Sequence, residues 1–117
     1  MSFLYLASPY TDKSTAIMHE RYLRVLEVTA HIQRAGITVY SPIIHNHEMA
    51  KRHKMPRDSE FWEKHNYAML RVAAAMGILE LPGWQDSVGI GKELRYAREL
   101  NIVIRQIPYP LEELPKL

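Results

Sequence analysis

Hydrophobic positions along the chain form two alternating patterns. Short apolar runs, bounded by Ser-Pro, Pro-Gly or polar residues, predict buried strands; they lie at residues 3–7, 37–40, 76–81 and 102–104. Between the runs, apolar residues recur at helical spacing, which predicts helices over residues 12–33, 58–72 and 87–100. In the first helix the predicted buried stripe is Ile17, Val25, Val28 and Ile32.

Alternating strands and helices predict an α/β fold with a mostly parallel sheet, because parallel strands need helical crossovers. We expect a small Rossmann-like (flavodoxin-like) three-layer sandwich of four to five strands. Ligands of such folds bind beyond the carboxyl ends of the strands. The segments that follow the strands should therefore converge on one crevice: residues 8–10, 42–47, 82–87 and 106–109.

Composition narrows the class of protein. The 117 residues suit a single domain. The absence of cysteine excludes disulfides, Cys-ligated metals and thiol nucleophiles. A formal charge of +2 is too small for a dedicated nucleic-acid binder. No apolar run approaches the roughly 18 residues that span a bilayer, and no basic segment precedes the first run, so we expect a soluble cytoplasmic protein.

The end of the third predicted strand leads into a glycine-rich helix start. Gly89 and Gly91 weaken the first turn by roughly 1 kcal/mol each relative to Ala, which favours close approach of a ligand to the backbone. Free N–H groups at a helix start, together with the Ser87 hydroxyl, suit a phosphate. The alternative is that both glycines only allow tight packing of the helix on the sheet.

Two polar residues fall on apolar helix faces. Glu93 lies within the stripe of Ile90, Leu94 and Ala97, so its carboxylate should point inward. A buried carboxylate is costly unless it is paired or used in function; the alternatives are a position at the rim or an ion pair with Arg21. Asn66 shares a face with Trp62, Met69 and Ala73, and is either a ligand contact or a satisfied core amide.

The polar segment 44–57 is expected to be a functional loop or a short irregular helix. In an extended chain His45 and His47 would face one side, with Glu48 next, which resembles part of a metal site. No other histidine has a spacing that supplies a third ligand, so contacts to a ligand or plain surface positions are the other interpretations. Basic residues at 51–57 predict a solvated face, or attraction of an anionic substrate or acidic partner.

Taken together, these motifs resemble the nucleoside 2-deoxyribosyltransferase superfamily over most of the chain. The resemblance rests on residues 5–10, Arg21, residues 41–47 and the segment from residue 81 to Glu93. It is closest to a small bacterial and phage branch with the patterns SPxxHxH and PGWxxSxGxxxE, and to the 2'-deoxynucleoside 5'-monophosphate N-glycosidases.

The resemblance implies catalytic roles for three residues. Glu93 matches the nucleophile that attacks the anomeric carbon, Tyr5 matches the tyrosine that orients it, and Asn66 stands where the family commonly has an aspartate that assists the leaving base. Asn66 cannot donate a proton as an acid, so Asp58, His45 or His47 would have to do so. Substrate contacts are implied for Ser8, Pro9, Tyr10, Arg21, His45, His47, Gly83, Trp84, Ser87 and Gly89.

The leading functional hypothesis is hydrolysis or transfer at the N-glycosidic bond of a 2'-deoxynucleoside 5'-monophosphate. Ser87 favours the monophosphate, because transferases for free nucleosides often carry Asp at this position. Alternatives are a nucleotide-sensing module without turnover, a transferase of free nucleosides and, more weakly, a metal hydrolase built on His45 and His47. No metal or redox cofactor is implied. The resemblance also implies at least a homodimer, with Trp84 and the proline-rich tail as contact surfaces.

Overall fold

A computed structural model describes residues 2–111 and has the predicted alternation of strands and helices. Among these residues no helix is both long enough and apolar enough to cross a membrane. The elements in chain order are β1 (Leu4–Ala7), α1 (Thr15–Arg34), β2 (Val39–Tyr40), α2 (Pro42–Arg52), α3 (Ser59–Leu70), β3 (Ala75–Glu80), a 3₁₀ turn (Trp84–Asp86), α4 (Val88–Glu99) and β4 (Val103–Pro108).

The four described strands form one parallel sheet in the order β2-β1-β3-β4. Side chains of successive strand residues point to opposite faces. Leu4 and Leu6 of β1 therefore join the core beneath α1 and α2, whereas Tyr5 and Ala7 join the core beneath α3 and α4. The architecture is the predicted Rossmann-like three-layer sandwich.

Each helix begins at a side chain that caps its N-terminus. Ser14, Ser41, Asp58 and Ser87 each accept a hydrogen bond from the backbone N–H three residues further on. This satisfies one of the N–H groups that a helix start leaves without a partner. The predicted helix starts at Asp58 and Ser87 are confirmed.

Helix α2 corrects the prediction of a loop or short irregular helix over residues 44–57. The Ser41 hydroxyl accepts from the Ile44 N–H at 3.2 Å, and Pro42 occupies the first helical turn. Proline suits this position because the N–H that it lacks would have no helical acceptor. The Ser-Pro pair thus ends a strand and starts a helix at once.

Two smaller corrections concern the buried face of α1 and the length of β4. Ile17 is 44% exposed and Met18 takes its place beside Val25, Val28 and Ile32 in the buried stripe of α1. Strand β4 continues to Pro108 rather than ending at residue 104.

Part of the proline-rich tail, which is predicted to be a contact surface, is not described. Residues 112–117 lie outside the described residues.

Candidate active site

A cleft of about 520 Å³ opens beyond the carboxyl ends of the central strands β1 and β3. Its size is typical of a small-molecule site. Most of the residues predicted from the sequence line it: Ser8, Pro9, Tyr10, Arg21, Asn66, Gly83, Ser87, Gly89 and Glu93. The convergence of residues 8–10, 42–47 and 82–87 on one crevice is confirmed for part of each segment.

Glu93 is the one carboxylate of the cleft that is buried in the protein. It is 7% exposed and forms no ion pair within residues 2–111, so pairing with Arg21 is excluded there. Its carboxylate accepts a hydrogen bond from the Tyr5 hydroxyl. Burial raises the pKa of Glu93 to about 7, and the hydrogen bond from Tyr5 opposes this rise. Near neutral pH this carboxyl group can therefore be ionised or protonated.

Tyr5, which donates the hydrogen bond to Glu93, lies on the central strand β1. Its side chain is fully buried and packs against Tyr40, with 5.8 Å between the ring centroids. Tyr40 in turn shares a hydrogen bond of 2.8 Å with Nε2 of His65. Burial raises the pKa of Tyr5, and burial followed by the charge of Glu93 raises the pKa of Tyr40 to about 12. Tyr5 thus stays protonated and remains a hydrogen-bond donor to Glu93.

The start of α4 forms one wall of the cleft. The Ser87 hydroxyl accepts from the Ile90 N–H at 3.2 Å, so the N–H groups of Val88 and Gly89 have no acceptor within the helix. A Cβ on Gly89 would meet its nearest atoms at an ordinary 3.6 Å, and one on Gly91 would meet none within 4 Å. Tight packing on the sheet therefore does not explain these glycines. Gly89 lines the cleft and Gly91 does not.

Arg21 reaches the cleft from α1 and is held by backbone carbonyl groups. Its Nη1 atom donates to the carbonyl oxygens of Tyr10 and Thr11, each at 3.2 Å. Gly83 adopts the left-handed φ of 92°, and a Cβ there would lie 2.8 Å from Nη2 of Arg21. Glycine is thus favoured at position 83 by the backbone angle, and the end of the Arg21 side chain would have to shift to admit a Cβ.

We expect Gly83→Ala to lower the free energy of unfolding by roughly 1–2 kcal/mol for the backbone strain alone, with a further loss from the displaced Arg21 side chain. Gly36→Ala is the matched control, because Gly36 has a φ of 90° and open space around its Cβ position. Urea denaturation of both variants, and of Gly83→Ala in an Arg21→Ala background, separates the two terms. Equal costs for Gly83→Ala with and without Arg21 would contradict the proposed clash.

Three buried polar atoms on cleft residues have no hydrogen-bond partner among the described residues: Ser8 Oγ, Asn46 Oδ1 and Asn66 Oδ1. The described residues supply no partner for the Asn66 oxygen, so they do not satisfy it as a core amide. Asn46 is 6% exposed and was missed as an individual site residue. The signal that could have found it is the Ser-Pro helix start, because a helix from Pro42 turns position 46 inward with Ile43 and Ala50.

The two predicted histidine contacts do not line the cleft. Residues two apart in a helix lie about 200° apart around its axis, so His45 and His47 point in different directions. His47 is buried, stacks on Tyr22 with centroids 4.1 Å apart and shares a 2.7 Å hydrogen bond with Tyr10. His45 is exposed and stacks on His65, with 4.7 Å between centroids. The prediction that both face one side is wrong.

Trp84 and residues 106–109 also lie elsewhere. The Trp84 side chain is partly buried against the core beneath α3 and α4 and does not line the cleft. Strand β4 is an edge strand, away from the central strands that carry the cleft. Beyond it, the Tyr109 hydroxyl accepts a 2.9 Å hydrogen bond from Arg24 of α1.

Charged residues of both signs line the cleft. Arg57, placed in a solvated basic run by the sequence analysis, joins Arg21 there, and Asp12, Asp58 and Asp86 are the acidic residues besides Glu93. Asp58 and Asp12 accept backbone N–H groups at 2.8 Å, which fixes their positions. Within residues 2–111 no group of three or more His, Cys, Asp or Glu side chains is arranged to hold a metal ion.

Comparison with known proteins places this arrangement in a family. No curated protein matches the chain. The model of one family, described as a domain of unknown function (DUF1937), matches residues 2–106. The match includes both central strands, α4 and every residue of the cleft. The chain therefore belongs to the DUF1937 family.

Proposed function

We propose that this protein cleaves the N-glycosidic bond of a 2'-deoxynucleoside 5'-monophosphate with Glu93 as the nucleophile. The observation that carries the proposal is the buried carboxylate of Glu93, which lines the cleft, has no cationic partner among the described residues and accepts a hydrogen bond from Tyr5. Burial of an unpaired carboxylate is costly, and such groups concentrate at sites that use them.

The proposed reaction has two steps, in the manner of retaining glycosidases. A carboxylate oxygen of Glu93 bonds to C1' as the bond from C1' to the base nitrogen breaks, and the base leaves with the electron pair and takes up a proton. Water then attacks C1' and passes a proton to the group that protonated the base, while the bond to Glu93 breaks with its electron pair returning to the carboxylate, and deoxyribose 5-phosphate is released. If a second base replaces water, the same site performs transfer.

The start of α4 supports a phosphate at the 5' end of the substrate. The N–H groups of Val88 and Gly89 and the Ser87 hydroxyl are donors that suit an anion. Arg21 and Arg57 supply cationic groups in the lining of the same cleft, which also contains Asp12, Asp58 and Asp86. An aspartate at position 87 would repel the phosphate, whereas serine does not.

The source of the proton for the leaving base is what separates an enzyme from a sensor. Asn66 offers an unpartnered amide oxygen in the cleft and cannot act as an acid. Of the three groups considered as acids, Asp58 lines the cleft, whereas His45 and His47 do not. The second candidate function, a nucleotide-binding module without turnover, is favoured by Asn66 alone.

Incubation with the four 2'-deoxynucleoside 5'-monophosphates, the corresponding ribonucleotides and the matching nucleosides, with free base measured by chromatography, tests the proposal. We expect base release from a deoxynucleoside monophosphate and faster release by Asn66→Asp, which supplies an acid. Preference for the matching nucleoside would indicate a transferase of free nucleosides. Release by Asn66→Asp alone would mean a disabled enzyme, and binding without release by either chain would favour the sensor.

In a dimer of this protein, Trp84 and the tail remain the proposed contacts between subunits. Measurement of the molecular mass in solution by light scattering tests whether the protein is a dimer, and the mass of a monomer would contradict the proposal.

A further inference from the structure

Asn46, like Ser8, is a buried polar side chain of the cleft to which the proposed chemistry gives no role, and it is the one of the two with an amide. It lies on α2, is 6% exposed and lines the cleft, and its Oδ1 atom has no hydrogen-bond partner among the described residues. Buried polar groups in folded proteins are normally satisfied. An unsatisfied one in the wall of a cleft is therefore a group that a ligand can satisfy.

The strand order separates Asn46 from the groups proposed to hold the phosphate and C1'. Helix α2 follows the edge strand β2, whereas α4 follows β3, and β1 lies between these strands. In the proposed orientation the phosphate lies at the start of α4 and C1' lies at Glu93, which leaves the base for the rest of the cleft. Asn46 lines the cleft from the helix that follows β2, on the other side of β1 from β3.

We propose that Asn46 is a specificity-determining residue that binds the polar edge of the nucleobase; the inference rests on the proposed function for the orientation of the ligand. A primary amide presents a donor and an acceptor side by side, which matches a base edge that carries an acceptor beside a donor. Deoxyribose 5-phosphate, which has no such edge, should not depend on Asn46.

Calorimetric binding in a Glu93→Gln background, where the proposed cleavage is blocked, tests this. The probes are the four 2'-deoxynucleoside 5'-monophosphates and deoxyribose 5-phosphate. We expect Asn46→Leu to weaken binding of the preferred nucleotide by about tenfold, to compress the differences among the four nucleotides and to leave deoxyribose 5-phosphate unchanged. Its melting temperature should equal or exceed that of the parent, because an unsatisfied buried amide has been removed.

Thr29→Val is the matched control, since Thr29 Oγ1 is also buried without a partner but does not line the cleft. It should leave binding of every probe unchanged. Asn46→Ala decides the question if Asn46→Leu does not fold. Unchanged nucleotide affinities in a folded Asn46 variant, or an equal loss for deoxyribose 5-phosphate, would overturn the proposal.

The result also separates this inference from the proposed reaction. Nucleotide binding that depends on Asn46, with no base release by the unmodified chain, would leave the specificity role intact and remove the catalytic one. Failure of the parent to bind any nucleotide would overturn both.

Discussion

Replacement of Glu93 is expected to abolish base release, with a loss of rate on the order of 10⁴-fold or more for both Glu93→Ala and Glu93→Gln. The reason is that the carboxylate itself forms the bond to C1', and an amide or methyl group cannot replace it. Single-turnover measurement of free base, with a nucleotide concentration that saturates the cleft, isolates this step. Retained hydrolysis by either variant would contradict the covalent mechanism.

Stability provides the control for that result. Because the folded state raises the pKa of Glu93 from 4.5 to about 7, it binds the proton more tightly than the unfolded chain does, and stability is lost as pH rises between these values. Glu93→Gln removes this loss, because the amide does not titrate. The difference in free energy of unfolding between Glu93→Gln and the parent should therefore be about 3 kcal/mol more favourable to the variant at pH 8 than at pH 4. A destabilised variant would leave the loss of activity open to a structural explanation.

The pH dependence of base release should report the same carboxyl group. The nucleophile must be ionised, so the rate should rise with pH through an apparent pKa near 7. The hydrogen bond from Tyr5 lowers the pKa of Glu93, so Tyr5→Phe should move this rise to higher pH. If the pKa rises by one unit, the ionised fraction of Glu93 at pH 6 falls about tenfold. The rate at pH 6 should fall by that factor beyond any loss of rate measured above the new pKa.

Tyr40→Phe is the matched control for Tyr5→Phe. It also removes one tyrosine hydroxyl, in this case from a partly buried side chain, but the partner of that hydroxyl is His65 rather than Glu93. Rate profiles between pH 5 and 9 should therefore coincide for Tyr40→Phe and the parent. If the Tyr5→Phe profile coincides with both, Tyr5 does not lower the pKa of Glu93. A rate that falls as pH rises through 7 would instead assign Glu93 the role of an acid.

The helices that the sequence located best are those whose signals are local. Asp58 and Ser87 cap α3 and α4 through side chains three residues from the N–H groups they bind, so sequence spacing alone identifies them. Glu93 was likewise placed inward by the periodicity of its own helix. Helix α2 was predicted only as a loop or a short irregular helix from residue 44, because Ser41-Pro42 fits a strand end and a helix start equally well and the sequence contains no local contact that chooses between them.

The errors at His45, Asn46 and His47 follow from that one element. With residues 44–47 extended, His45 and His47 share a side, and Asn46 points away. As a helix, the same residues bury Asn46 and His47 and expose His45. The cleft therefore gains an amide and loses two imidazoles, which changes the groups available to a substrate from proton donors to neutral hydrogen-bonding atoms.

By itself, the sequence determined the alternation of strands and helices, the parallel sheet, the inward position of Glu93 and the glycine-rich start of α4, because each depends on spacing within a few residues. The family resemblance implied that Tyr5 orients Glu93, and the tertiary structure shows the hydrogen bond between them. The tertiary structure alone decided that Arg21 lies against Gly83 and that Asn46 lines the cleft. Tyr5 and Glu93 are 88 positions apart along the chain. Contacts of this kind depend on how strands are ordered and helices are rotated about them, and no local pattern encodes either.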